Sequence, residues 1–205
     1  MDNQMGKKGS KYDIKIIIIL INHHRGKKLK EKKELQKIIQ NTGIVKQNNI
    51  ILKSGIKSNY YFDLKKVLMN KKSKMLLGKI IANIIKNNKI DAVGGLECGS
   101  LPIIDSIIEH TNIEYGFYIR KKVKEYGIEK QIEGIFFPSD EVLIVDDIII
   151  TGESILNACN IVKHNFGIIK KIIVVIEREI IGKHKLQNEG YDYIAIFTKK
   201  DFKVD

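Results

Sequence analysis

Val142-Leu143-Ile144-Val145-Asp146-Asp147-Ile148-Ile149-Ile150-Thr151-Gly152-Glu153-Ser154 is the stretch on which the fold of this 205-residue chain turns. Four unbroken apolar residues predict a strand buried on both faces, as in a parallel sheet. Two adjacent carboxylates follow at the strand end, where they repel each other and resist desolvation. They persist in such a place only opposite hydroxyl donors or cations. Thr151 to Ser154 then open a helix, whose first N–H groups and positive dipole end form a seat for phosphate. Gly152 permits close backbone approach, and Thr151 and Ser154 add hydroxyl donors. Ribose hydroxyls on Asp146 and Asp147, with a 5′-phosphate on the loop Thr151 to Ser154, fit one sugar phosphate bridging the two. An Asp cap before a Thr-Gly turn is the purely structural alternative.

Outward from this segment, helices alternate with apolar strands. Strands are predicted at Asp91–Leu96, Tyr115–Ile119, Val142–Val145, Ile168–Ile176 and Tyr191–Phe197. Helices are predicted from the stripe Leu76 to Ile85 and at Ile103–His110, Ile155–His164 and Gly182–Asn188. The polar stretch Arg120 to Glu133 has almost no apolar periodicity. The expectation is an α/β fold with a five-stranded parallel sheet flanked by helices. Before it, Leu29–Asn41 reads as a short amphipathic helix, and Ile50–Lys53 and Tyr60–Leu64 as a hairpin. Together they are expected to cap the carboxyl ends of the sheet strands, where α/β ligands bind.

The charge sum is +12, from 36 Lys and Arg against 24 Asp and Glu. Only Arg25, Arg120 and Arg178 are arginines, and Lys, Asn and Ile are enriched throughout. Such a diffuse lysine excess permits polyanion binding without outlining a nucleic-acid face. Cys98 and Cys159 lack zinc-finger spacing and form no disulfide framework, which suits a reducing compartment. The longest apolar run, Ile14 to Ile21 around Lys15, is far short of the roughly 20 residues of a membrane span. The chain is therefore expected to be soluble and cytoplasmic, with neither a membrane nor a nucleic acid as partner.

The acid pair and the loop after it resemble the phosphoribosyl-diphosphate (PRPP) signature of type I phosphoribosyltransferases. Three further segments narrow the resemblance. Leu52-Lys53-Ser54-Gly55-Ile56-Lys57-Ser58-Asn59-Tyr60-Tyr61-Phe62-Asp63 resembles the hood motif of orotate phosphoribosyltransferases. Ile119 to Gly127, with Arg120, Lys121, Lys122 and Lys124, resembles their mobile catalytic loop. Glu177-Arg178-Glu179 resembles the strand end that meets orotate. The four run in register from about Leu29 to the carboxyl terminus. The resemblance implies an N-terminal extension of unknown role (1–28) and one phosphoribosyltransferase domain (29–205), with a hood over about 29–70 and a core over about 71–205.

It also implies the activity: transfer of 5-phosphoribosyl from PRPP to N1 of orotate, giving orotidine 5′-phosphate and pyrophosphate in pyrimidine synthesis. PRPP would meet Lys53, Cys98, Gly99, Arg120, Lys121, Lys124, Tyr126, Asp146, Asp147 and Ile148 to Ser154. Gly99 and Ser100 would present N–H groups to the diphosphate. Orotate would meet the aromatic wall of Tyr61 and Phe62, Ile150, and the planar fork of Arg178, which lysine cannot imitate. Lys121, Lys124 and Asp147 would carry the catalysis. Mg²⁺ would be held mainly through PRPP and water, with no direct protein ligand. A homodimer is implied because lid residues of the family serve the neighbouring subunit, and a separate decarboxylase is a candidate partner. Four departures stand out: Ile150 for a threonine, Tyr126 for a bacterial histidine, Ile56 for an arginine, and Cys98-Gly99 for a turn with an aromatic. The residues by themselves leave two other readings open, a purine-type PRPP-dependent transferase and a PRPP-binding regulator without catalysis.

Overall fold

The computed structural model describes residues 26, 28–51, 55, 57–121 and 131–204. Lys53, Ile56, Lys122, Lys124, Tyr126 and all but Gly26 and Lys28 of the N-terminal extension therefore lie outside the described residues.

A first helix, α1 (28–42), buries Leu35 and Ile39, four residues apart on one face. β1 (Ile44–Ile51) and β2 (Lys57–Phe62) then pair antiparallel as a two-stranded sheet. β1 starts six residues before its predicted position. Leu64, predicted as strand, instead begins α2 (Leu64–Leu68), because the Asp63 carboxylate accepts the Lys66 N–H at 3.2 Å and caps a new helix. Asn70 caps α3 (Lys71–Ile85) in the same way, accepting from the Lys72 and Ser73 amides.

β3 (Ala92–Leu96), α4 (Leu101–His110), β4 (Tyr115–Ile119), β5 (Ile132–Gly134), β6 (Glu141–Ile149), α5 (Glu153–His164), β7 (Ile168–Glu177), α6 (Ile180–Asn188) and β8 (Tyr193–Thr198) complete the chain. The sheet order is β5-β4-β3-β6-β7-β8. It has six strands rather than the expected five. The extra one, β5, is antiparallel to β4 and only three residues long, too short to show a period. The remaining pairings are parallel.

Why the strands read as unbroken apolar runs is visible in β6 and β7. Leu143, Val145, Ile173 and Val175 face one core with α1 to α4, while Val142, Ile144, Ile172 and Val174 face another with α5 and Leu186. Strand alternation thus feeds two cores at once, which keeps both faces of these strands largely apolar. Phe62 of the hood and Phe202 near the carboxyl terminus join the first core, their ring centroids 5.4 Å apart. Strand order reverses between β3 and β6, so the loops leaving those two strands flank a crevice suited to a ligand. Among the described residues, no helix is long and apolar enough to cross a membrane.

Candidate active site

The crevice begins with β6. This strand does not stop at Val145, as its apolar run predicts, but continues through both aspartates to Ile149, held by the register Asp146↔Val174 and Ile149↔Glu177. Neighbouring backbone keeps the acids on the ladder, and each carboxylate accepts the next amide: Asp147 N to Asp146 Oδ1 at 3.0 Å, Ile148 N to Asp147 Oδ1 at 2.8 Å. Gly152 then caps α5 at φ 81°, a conformation in which a side chain would be strained. Asp146, Ile148, Ile149, Ile150, Thr151, Gly152, Glu153 and Ser154 line one open pocket of about 400 Å³ with Ile155. This arrangement brings eight residues expected around the sugar phosphate into one place. Glu153, the anion of the helix mouth itself, pairs with Lys185 of α6, which reduces its repulsion of a phosphate.

Asp147 faces the other loop of the crevice. Side chains alternate along a strand, and Asp147 packs on the turn after β3. A Cβ on Gly99 would lie 2.6 Å from its carboxylate. In that turn Ser100 Oγ donates to Leu96 O at 2.5 Å, the Glu97–Cys98 peptide is cis, and Cys98 is exposed. Burial raises the Asp147 pKa above the ordinary carboxylate value, opposed by the Ile148 N–H and by the positive charge of Lys65. Lys65, on α2, carries no motif and escapes a sequence reading.

Arg120 and Lys121 stand at the start of the polar stretch that follows β4. The Lys121 N–H donates to Glu97 Oε1 at 3.0 Å, tying that start to the turn beside Asp147. The Arg120 N–H donates to Gln131 O at 2.9 Å, and its Nε is buried without a partner.

The acceptor side gathers around Arg178, whose N–H donates to Ile149 O at 3.0 Å. The arginine thus begins one strand over from the phosphate loop. It is only 5% exposed, and no carboxylate among the described residues neutralises it. Glu177 instead accepts from the Tyr193 hydroxyl at 3.2 Å, and Glu179 pairs with Lys199 at 3.1 Å. The surface ion pair that could explain such an arginine is therefore not made. Its Nη2 donates to Ser58 Oγ at 2.6 Å, its carbon lies 4.3 Å from the Tyr60 ring centroid, and its Nε has no partner. A buried donor left unmade costs about 1–3 kcal/mol, a cost that an acceptor ligand would remove.

One expected contact is corrected here. Phe62 is 1% exposed and packs against Tyr60 and Phe202, so it belongs to the core and offers no face to a base. Alternation along β2 turns Tyr61 outward at 41% exposure and places Tyr60 against Arg178. The aromatic that sequence reasoning missed is Tyr60.

Residues 63–193 match the family model of the phosphoribosyl transferase domain. The chain is 38% identical over 173 residues to the orotate phosphoribosyltransferase of Methanocaldococcus jannaschii, covering 83% of this chain and 96% of that relative. The chain belongs to the orotate phosphoribosyltransferase family. A crystal structure of the Mycobacterium tuberculosis orotate phosphoribosyltransferase is similar at TM-score 0.73 and 25% identity, covering 83% of this chain and 98% of that one. The adenine phosphoribosyltransferase of Thermoanaerobacter pseudethanolicus shares the fold at TM-score 0.63 and 23% identity, over 80% of this chain and 99% of that one. The fold alone therefore does not choose the base.

Proposed function

We propose that the protein transfers the 5-phosphoribosyl group of PRPP to N1 of orotate, releasing pyrophosphate, as a step of pyrimidine synthesis. The observation that carries this reading is the adjacency of two unlike grips. A helix mouth with an acid at its edge suits a sugar phosphate, and one strand away a buried, unneutralised guanidinium suits a planar carboxylate.

In this reading the loop Ile150–Ser154 seats the 5′-phosphate on backbone N–H groups. Asp146 and Asp147 accept the ribose hydroxyls and favour positive charge at C1′ as the glycosidic C–O bond breaks. Gly99 and Ser100 supply N–H donors to the diphosphate, and Arg120 and Lys121 stabilise the charge that develops on it, a role that the resemblance also gives Lys53 and Lys124. Arg178 fixes the orotate carboxylate, which sets N1 facing C1′. Closure of the lid excludes water from the intermediate state.

The residues present fit a Mg²⁺ ion carried by substrate. Asp146 lines the pocket and Asp147 follows it on β6, so two carboxylates stand where an ion carried by substrate would sit. Asp146 and Asp147 would hold such an ion through ribose hydroxyls and water, where it would supply positive charge to the leaving diphosphate. We further propose a homodimer in which the lid serves the partner's site, a separate decarboxylase acting on the product, and a cytoplasmic setting consistent with the free thiols of Cys98 and Cys159.

The test follows the near-ultraviolet absorbance of orotate with the purified protein, PRPP and Mg²⁺, omitting each in turn. Loss of orotate that requires all three supports the proposal. Turnover of hypoxanthine or adenine with orotate untouched would instead assign the site to purines.

A further inference from the structure

Two residues of β2, Ser58 and Tyr60, surround Arg178 although no step of the reaction names them. Ser58 stands 120 residues before the arginine, and its hydroxyl is a three-way junction. Oγ accepts from Arg178 Nη2 at 2.6 Å and from Tyr60 N at 3.2 Å, and it donates to Tyr60 O at 2.8 Å. A hydroxyl has one proton and two acceptor positions, so its capacity is fully used. The Tyr60 carbonyl also receives Nη2, at 3.4 Å, while the ring of the same residue lies 4.3 Å from the guanidinium carbon. One nitrogen of the fork is thereby anchored and one face is covered. Nε remains buried and unpartnered, and the flanking acids are committed to Tyr193 and Lys199.

We infer that Ser58 and Tyr60 are positioning residues that hold Arg178 in one orientation for the acceptor's carboxylate. The hood strand, and not only the sheet, then sets affinity for a carboxylated pyrimidine. This rests on Arg178 being the acceptor contact of the proposed reaction. Ser58 and Tyr60 need not touch the substrate; they act by removing the rotamer freedom that the arginine would otherwise lose on binding. A lysine in place of Arg178 could neither stack on the ring nor present a fork, which fits the use of an arginine in a chain with only three.

The experiment measures steady-state kinetics of the full chain, varying orotate and PRPP separately. The variants are Ser58→Ala, Ser58→Thr, Tyr60→Leu and Tyr60→Phe. Loss of a hydrogen bond to a charged group, or of a cation–π face, is expected to raise KM for orotate about tenfold. KM for PRPP and kcat should stay within about twofold, the signature of a lost ground-state contact. Ser58→Thr keeps the hydroxyl and Tyr60→Phe keeps the ring, so both should lie near wild type. Parallel increases in both KM values, or an unchanged KM for orotate in Ser58→Ala and Tyr60→Leu, overturn the inference. Thermal melts identify any variant that fails to fold, and the Tyr60→Leu and Tyr60→Phe pair then decides the matter. A wild-type protein inactive on orotate would refute the proposed function; an active wild type with unmoved variants would refute this inference alone.

Discussion

The two ends of the crevice are built by different means. At the end proposed for the sugar phosphate the parts are nearly contiguous: Asp146 to Ser154 fold as strand, turn and helix mouth, and the donors on offer are largely backbone N–H groups. At the acceptor end the parts are side chains from elements 120 residues apart, joined by hydrogen bonds and a ring contact. Backbone recognition by a short segment is robust, because each amide is fixed by the element that bears it. Side-chain recognition across elements depends on each neighbour holding the next. Specificity can therefore change at the second end while the first stays constant, in line with adenine and orotate transferases sharing one fold.

Substitutions can break that contrast. The largest effect is expected from Asp147→Asn, which removes charge that favours a positive ribose and should lower kcat/KM about 10²–10³-fold in the orotate assay. A comparable loss in orotate affinity alone would place Asp147 at the wrong end. Arg178→Lys should raise KM for orotate on the order of 10–100-fold, as expected when a bidentate contact is lost, with KM for PRPP little changed. Kinetics in which both constants rise together would dissolve the division into two ends. Gly99→Ala should cost about tenfold in kcat/KM, since the new Cβ would lie 2.6 Å from the Asp147 carboxylate and displace it.

The same aspartate gives a smaller effect on stability, with a defined sign. Burial raises its pKa in the folded chain, so folding favours the protonated form. Its contribution is full below the unfolded carboxylate value and is lost as pH rises through the raised folded value. Asp147→Asn cannot ionise, and thermal melts should show it more stable than wild type at neutral pH. That gain should vanish in acid; a gain independent of pH would implicate packing instead. The mildest probe is thiol titration of the native protein. Cys98 is exposed in the turn after β3, whereas burial pushes the Cys159 thiol up to about 12. One thiol should react quickly and PRPP should slow it, while Cys159 should require unfolding.

This contrast also explains what was legible in the sequence. The strand, the acid pair and the helix mouth lie in thirteen consecutive residues, so their spacing carries their geometry. The strand periods gave the sheet, except β5, whose three residues show no period. Alternation along β2 could not be phased from the sequence alone, because Tyr60, Tyr61 and Phe62 are all aromatic and any of them could face the core. That ambiguity assigned Phe62 to the base although it is buried with Phe202. Lys65 escaped for another reason: its side chain acts on Asp147 as a charge across space, which no local spacing announces.

The long reach between Ser58 and Arg178 sets an order of assembly. As the chain is made, the hood strand emerges first, the phosphate loop about ninety residues later, and the arginine only after β7 is complete. A nascent or clipped chain that ends within α5 would carry the grip for a sugar tail but lack the selector for the base. In the proposed reaction the choice of nucleobase is thus gained last, when the molecule is nearly whole.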